Sequence, residues 1–257
     1  MSEPRTSSTQ ESLERPTVVV DDLVVDYRVL AGGRRADRAS KVARRPGALK
    51  RSRVVHALRG VSFTAHEGES IGVVGHNGSG KSTLLRAIAG LATPTRGAVY
   101  AKGQPTLLGV NAALINDLSG ERNVVLGGLA LGMTPAQVSE KYQEIVDFSG
   151  VGEAIDLPMA TYSAGMGARL RFAIAASAEH QVLLVDEALA VGDAEFRRRS
   201  EERIRELRAA AGTVFLVSHS MGAIKETCTR ALWVDHGLLR MDGPVEEVLP
   251  AYKDSTR

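Results

Sequence analysis

Cys228 is the only cysteine in the chain. A lone thiol can form neither an internal disulfide nor a multi-cysteine metal site, so a disulfide scaffold is excluded and a reducing compartment fits. Aromatic residues make up only 4% of the sequence, yet 44% hydrophobic and 24% charged residues describe a soluble globular chain rather than a disordered one. No apolar run approaches the ~20 residues that span a bilayer. Met1 to Arg15 is polar, without the apolar core of a signal peptide. Internal repeats are absent. Acids are nearly absent from residues 31–53, which hold nine Lys or Arg against the single Asp37, a local +8 that leaves the rest of the chain at −6. The basicity is therefore local. It is not a nucleic-acid-coating surface, and no nucleic-acid partner is expected.

Residues 1–16 are rich in Ser, Thr, Glu and Pro and read as a disordered tail, with ordered structure beginning at Thr17. Val18 to Tyr27 is a β-branched run suited to a strand or hairpin, interrupted by the basic insertion at 31–53. Ile71-Gly72-Val73-Val74 is a buried strand feeding a glycine loop. A helix follows, carrying Leu84, Leu85, Ile88 and Leu91 until Pro94 and Gly97 end it. Residues 111–172 read as mainly helical. The apolar runs Val182–Val185 and Thr213–Val217 are expected to be buried parallel strands, with a solvated Arg/Glu helix, Arg197 to Arg208, between them. The alternation predicts an α/β doubly wound sheet over residues 17–249, with 250–257 as a C-terminal tail. Trp233 is read as a packed strand residue, and no further domain is expected in the residues that follow it.

Gly75-His76-Asn77-Gly78-Ser79-Gly80-Lys81-Ser82-Thr83 satisfies the phosphate-loop pattern between a strand and a helix. Its glycines let successive N–H groups face phosphate oxygens, and the helix N-terminus adds a favourable dipole. Lys81 is placed to reach the β and γ phosphates of ATP, and Ser82 to offer its hydroxyl to Mg²⁺. Asp186-Glu187 closes the apolar run at 182–185. Asp186 is the candidate metal residue, holding Mg²⁺ through water, and Glu187 the candidate base for the attacking water.

Three further segments carry a family resemblance. Tyr162-Ser163-Ala164-Gly165-Met166 resembles the ABC signature LSGGQ, Ala190-Val191-Gly192-Asp193 stands at the D-loop position, and His219 in Val217-Ser218-His219-Ser220 matches the switch histidine. The chain is thus similar to nucleotide-binding subunits of ABC transporters. The resemblance implies a P-loop NTPase fold: a RecA-like core with a parallel sheet, an antiparallel β subdomain and a helical signature subdomain. It also implies a head-to-tail dimer in which each ATP lies between one phosphate loop and the partner's Ser163 and Gly165, with Asp193 nearby. A membrane permease would be the second partner. Catalysis would fall to Lys81, Glu187 and His219. For the aromatic that stacks on adenine, Tyr27 is the leading candidate and His56 the alternative. The glutamine that many relatives place after the next strand has Val110 or Asn111 at its position, Gln104 being too early.

The signature, together with Leu189 to Asp193 and Leu118-Ser119-Gly120-Glu121-Arg122-Asn123, resembles exporters of lipid-linked polysaccharides: O-antigen, capsule, teichoic acid and galactan. Expected location is the cytoplasmic face of the membrane. Another cargo, or a soluble family ATPase acting on DNA or ribosomes, are the alternatives.

Overall fold

The computed structural model describes residues 15–30, 52–108, 114–186, 194–218 and 220–255. Strands β1 (Pro16–Leu30) and β2 (Ser52–His66) form a long antiparallel hairpin, and β4 (Arg96–Ala101) pairs with the other edge of β1. This three-stranded sheet covers one face of a six-stranded sheet ordered β5-β6-β7-β3-β8-β9. The members of the larger sheet are β3 (Ser70–Val74), β5 (Thr106–Leu107), β6 (Val182–Asp186), β7 (Thr213–Val217), β8 (Arg230–Asp235) and β9 (Leu238–Pro244). All its pairings are parallel except the antiparallel β8–β9 edge.

Side-chain alternation divides the core in two. Ile71, Val73, Leu184, Phe215 and Leu232 point into the cluster shared with β1, β2 and helix α1 (Lys81–Ile88). Their neighbours Val74, Leu183, Val185, Val214 and Leu216 face the opposite cluster. That face is covered by α5 (Ala194–Ala210), α6 (Met221–Thr227) and α7 (Val245–Ser255). Burial on both faces explains why these strands read as unbroken apolar runs.

A third cluster joins α2 (Gly120–Ala130), α3 (Pro135–Ser149) and α4 (Ala164–Ser177) into the helical subdomain. Ser119, Thr134 and Ser163 cap these helices with their side-chain oxygens, Thr134 in a full capping box with Gln137.

Three sequence expectations shift. α1 stops at Ile88, because Gly90 takes the left-handed conformation (φ 72°) and the Leu91 N–H closes back onto Arg86 O, leaving Leu91 outside the helix and exposed. The helical stretch read as ending at residue 172 continues to Ser177 in α4, which begins at Ala164, so Gly165 lies in its first turn. Residues 250–255, expected as tail, are the second half of α7, which is held to the sheet by Val245, Val248 and Leu249.

Candidate functional site

At the C-terminal ends of β3, β6 and β7 a cleft of about 410 Å³ opens, walled by the phosphate loop on one side and Val55, His56 and Ala57 on the other. The loop is built by backbone geometry. Gly75, Gly78 and Gly80 have φ of 149°, 79° and 114°. A Cβ on Gly75 would sit 2.0 Å from Val234 O, and one on Gly80 2.6 Å from Ala57 O, so neither position admits a side chain. Lys81 is buried, and its ammonium donates to Gly75 O (2.6 Å) and His76 O (2.8 Å). Burial pushes its pKa down, partly offset by Asp186.

Four other helices begin with a serine or threonine cap, but α1 begins at Gly80 with no side-chain cap. Its first-turn N–H groups stay available at the positive end of the helix dipole, as an anion site requires. Ser82 Oγ donates to Asp186 Oδ2 at 3.0 Å, joining the loop to the end of β6. A hydroxyl beside a carboxylate is an oxygen donor pair suited to Mg²⁺, so the residues present fit that ion.

Of the two candidates for the adenine contact, one lies in the cleft wall. The cleft is lined by His56, whose Nδ1 lies 2.7 Å from Asp26 Oδ1; Tyr27 is not among its lining residues. The reason is strand order. β2 is the edge strand lying against the loop, through the close approach of Gly80 to Ala57, and Tyr27 sits one strand farther out on β1, opposite Val55. Gln104 precedes β5, which runs parallel to β6, and so lies at the far end of the sheet from Asp186.

Ser163 and Gly165 stand apart from this cleft at the start of α4, where Ser163 Oγ accepts from Met166 N at 3.1 Å. Tyr162 fixes that start by donating its hydroxyl to Ala154 O at 2.6 Å. Burial raises the Tyr162 pKa, with the Asp156 charge and Tyr142 adding to it. Glu187, Asp193, His219, Val110 and Asn111 lie outside the described residues. Sequence reading passed over the fully buried Asn123, whose amide bonds Ile115 N and O, Leu118 O and Ser119 O, fastening the chain that follows residue 113 onto α2. An asparagine four residues after a helix cap was the available signal.

The family described as ABC transporter matches residues 58–190, from β2 through the stretch following β6. The chain belongs to the ABC transporter family. Within it the chain is 40% identical over 203 residues to an O-antigen export system ATP-binding protein, RfbB, of Myxococcus xanthus, an alignment covering 79% of this chain and 46% of that protein. It is 36% identical over 237 residues to a teichoic acids export ATP-binding protein, TagH, of Staphylococcus epidermidis, covering 92% of this chain and 88% of that one. A Bacillus anthracis TagH is 39% identical, but the match spans only 36% of its length. The chain therefore covers less than half of two of these relatives and nearly all of the third. Among solved structures, an ATP-binding subunit of an ABC transporter superposes with a TM-score of 0.66 at 21% identity, covering 92% of this chain and 93% of that one. A dimeric, post-hydrolysis ATP-binding cassette bound to ADP and phosphate gives 0.63 at 19% identity, covering 89% and 98%. These two show the ABC cassette fold.

Proposed function

We propose that the chain binds and hydrolyses ATP to drive export of a lipid-linked cell-surface polysaccharide, docked on a membrane permease. The observation that carries the ATPase reading is the Ser82–Asp186 bond beneath an uncapped α1, which brings a metal-binding pair to an open phosphate site. The cargo reading rests on relatives named for O-antigen and teichoic acid export.

In this reading the N–H groups of Gly78 to Thr83 and the Lys81 ammonium hold the β and γ phosphates. Lys81 would exchange its bonds to Gly75 O and His76 O for phosphate oxygens. Ser82 and Asp186 would hold Mg²⁺, which would supply charge neutralisation. His56, in the cleft wall, packs beside adenine. Glu187, one residue past Asp186, accepts a proton from the attacking water, and His219 contacts the γ-phosphate. A second copy closes the site with Ser163 and Gly165, whose α4 N-terminus adds its dipole. Asp193, just before α5, belongs to the same dimer contact. Among the described residues no helix is long and apolar enough to cross a membrane, and membrane attachment is assigned to the permease.

The test is ATP turnover of the purified chain beside Glu187→Gln, with size-exclusion chromatography in ATP and Mg²⁺. Loss of turnover by ~10²-fold or more, together with an ATP-dependent dimer in the variant, supports the reading. Equal turnover in both proteins removes Glu187 from its role. A membrane protein co-purifying with the chain, and accumulation of lipid-linked glycan in its absence, would support the cargo.

A further inference from the structure

The phosphate loop is braced from outside by the last helix. α7 starts beside the base of β8, where Val245 N reaches Thr229 O. It runs along the sheet with Val248 and Leu249 buried, and its second half reaches the loop. There the Tyr252 ring meets the His76 ring edge-on at 5.7 Å between centroids, and it meets Trp233 at 5.8 Å. Trp233 on β8 is in register with Val74 on β3, the residue before Gly75. Tyr252 therefore touches the loop directly at His76 and, through Trp233, the strand that feeds it. His76 is also one of the two carbonyls that hold the Lys81 ammonium. Pro250 removes one N–H from the α7 ladder, so the last turn depends more on this aromatic packing for its position.

We infer that Tyr252 is a positioning residue for nucleotide: by holding the His76 ring, it fixes the backbone of the phosphate loop whose N–H groups face the phosphates, and it ties ATP affinity to the seating of α7. This rests on the ATP-binding reading above. A contact that steadies the loop before and during reaction acts on binding more than on turnover.

Trp233 is the only tryptophan in the chain, and it lies against Tyr252, so its fluorescence can report MgATP binding directly. In a MgATP titration of the full chain, Tyr252→Ala is expected to weaken binding about three- to tenfold, the size of one aromatic contact. The KM should rise in parallel with kcat little changed, and Tyr252→Phe should restore wild-type affinity. Tyr252→Leu keeps apolar bulk over Leu249 and Trp233 and should still lose affinity while melting near wild type, which covers the case in which the alanine variant unfolds. His76→Ala and Tyr252→Ala together should weaken binding no more than the larger single change, because both remove one contact. Wild-type affinity in the leucine variant, weakened binding in Tyr252→Phe, or additive losses in the double variant would each overturn the inference while leaving the ATP site standing. A wild-type chain that binds no MgATP would overturn the ATP reading and this inference with it.

Discussion

His180 shows how one side chain ties the signature helix to the sheet. The last three carbonyls of α4 are each taken by a side chain from outside the helix: His180 Nε2 at Ala175 O (2.9 Å), Arg203 Nε at Ala176 O (3.2 Å) and Lys141 Nζ at Ser177 O (2.7 Å). The orphan acceptors of a helix end are thus satisfied, and two full positive charges meet the negative end of its dipole. His180 is buried, and burial lowers its pKa below the ordinary value of 6.5; the bond to Ala175 O opposes this, and Arg203 and Lys141 add to it. A depressed pKa means the unfolded chain binds more protons below 6.5. Stability from His180 is therefore complete above that pH and is lost as pH falls toward the folded-state pKa, at no more than ~1.4 kcal/mol per pH unit. His180→Gln can keep a donor for Ala175 O without titrating. Urea denaturation of both proteins between pH 7 and 5 should show a shallower loss in the variant; parallel curves would show that His180 does not carry the acid sensitivity.

At the scale of elements, an aromatic trio joins the helical subdomain to α5. Phe148 of α3, Phe172 of α4 and Phe196 of α5 have ring centroids 5.9, 5.6 and 5.9 Å apart, and the Arg199 guanidinium lies 4.9 Å above the Phe148 ring. Phe196 is buried within the first turn of α5, three residues past Asp193. Phe196→Ala should cost ~3–5 kcal/mol in equilibrium unfolding, the usual range for a deleted core phenylalanine; a loss under 1 kcal/mol would show that the joint closes over the cavity. Periodicity made most of these helices legible. It could not reveal that Phe148, Phe172 and Phe196 meet, because they lie on three elements separated by a strand and several turns. The same limit holds for the adenine candidates: an aromatic before a phosphate loop is visible in sequence, but which strand of the hairpin lies against the loop is a matter of packing.

Over the whole molecule, the β1–β2 hairpin pairs as far as Leu30 and Ser52, so the basic segment joins its strands only a few residues past the Asp26–His56 pair beside the cleft. Under the export reading proposed above, this segment would face an anionic lipid surface, where each Lys or Arg contributes ~1 kcal/mol. Changing Arg34, Arg35, Arg38, Arg44 and Arg45 together to Gln should lower transport in vesicles while ATP hydrolysis by the isolated chain stays unchanged. Equal transport would remove the segment from any role at the membrane.

The phosphate loop, the acidic end of β6 and the two-faced parallel sheet were determined by sequence alone. Each is written locally, in glycines that demand special backbone angles and in apolar runs buried on both sides. Tertiary structure alone decided that His56 rather than Tyr27 faces the cleft, that Asn123 anchors the chain at Ile115, and that Tyr252 reaches His76 from more than 170 positions away in the chain. Those contacts depend on which strand forms an edge and where a terminal helix lies, and no short window of residues carries that information.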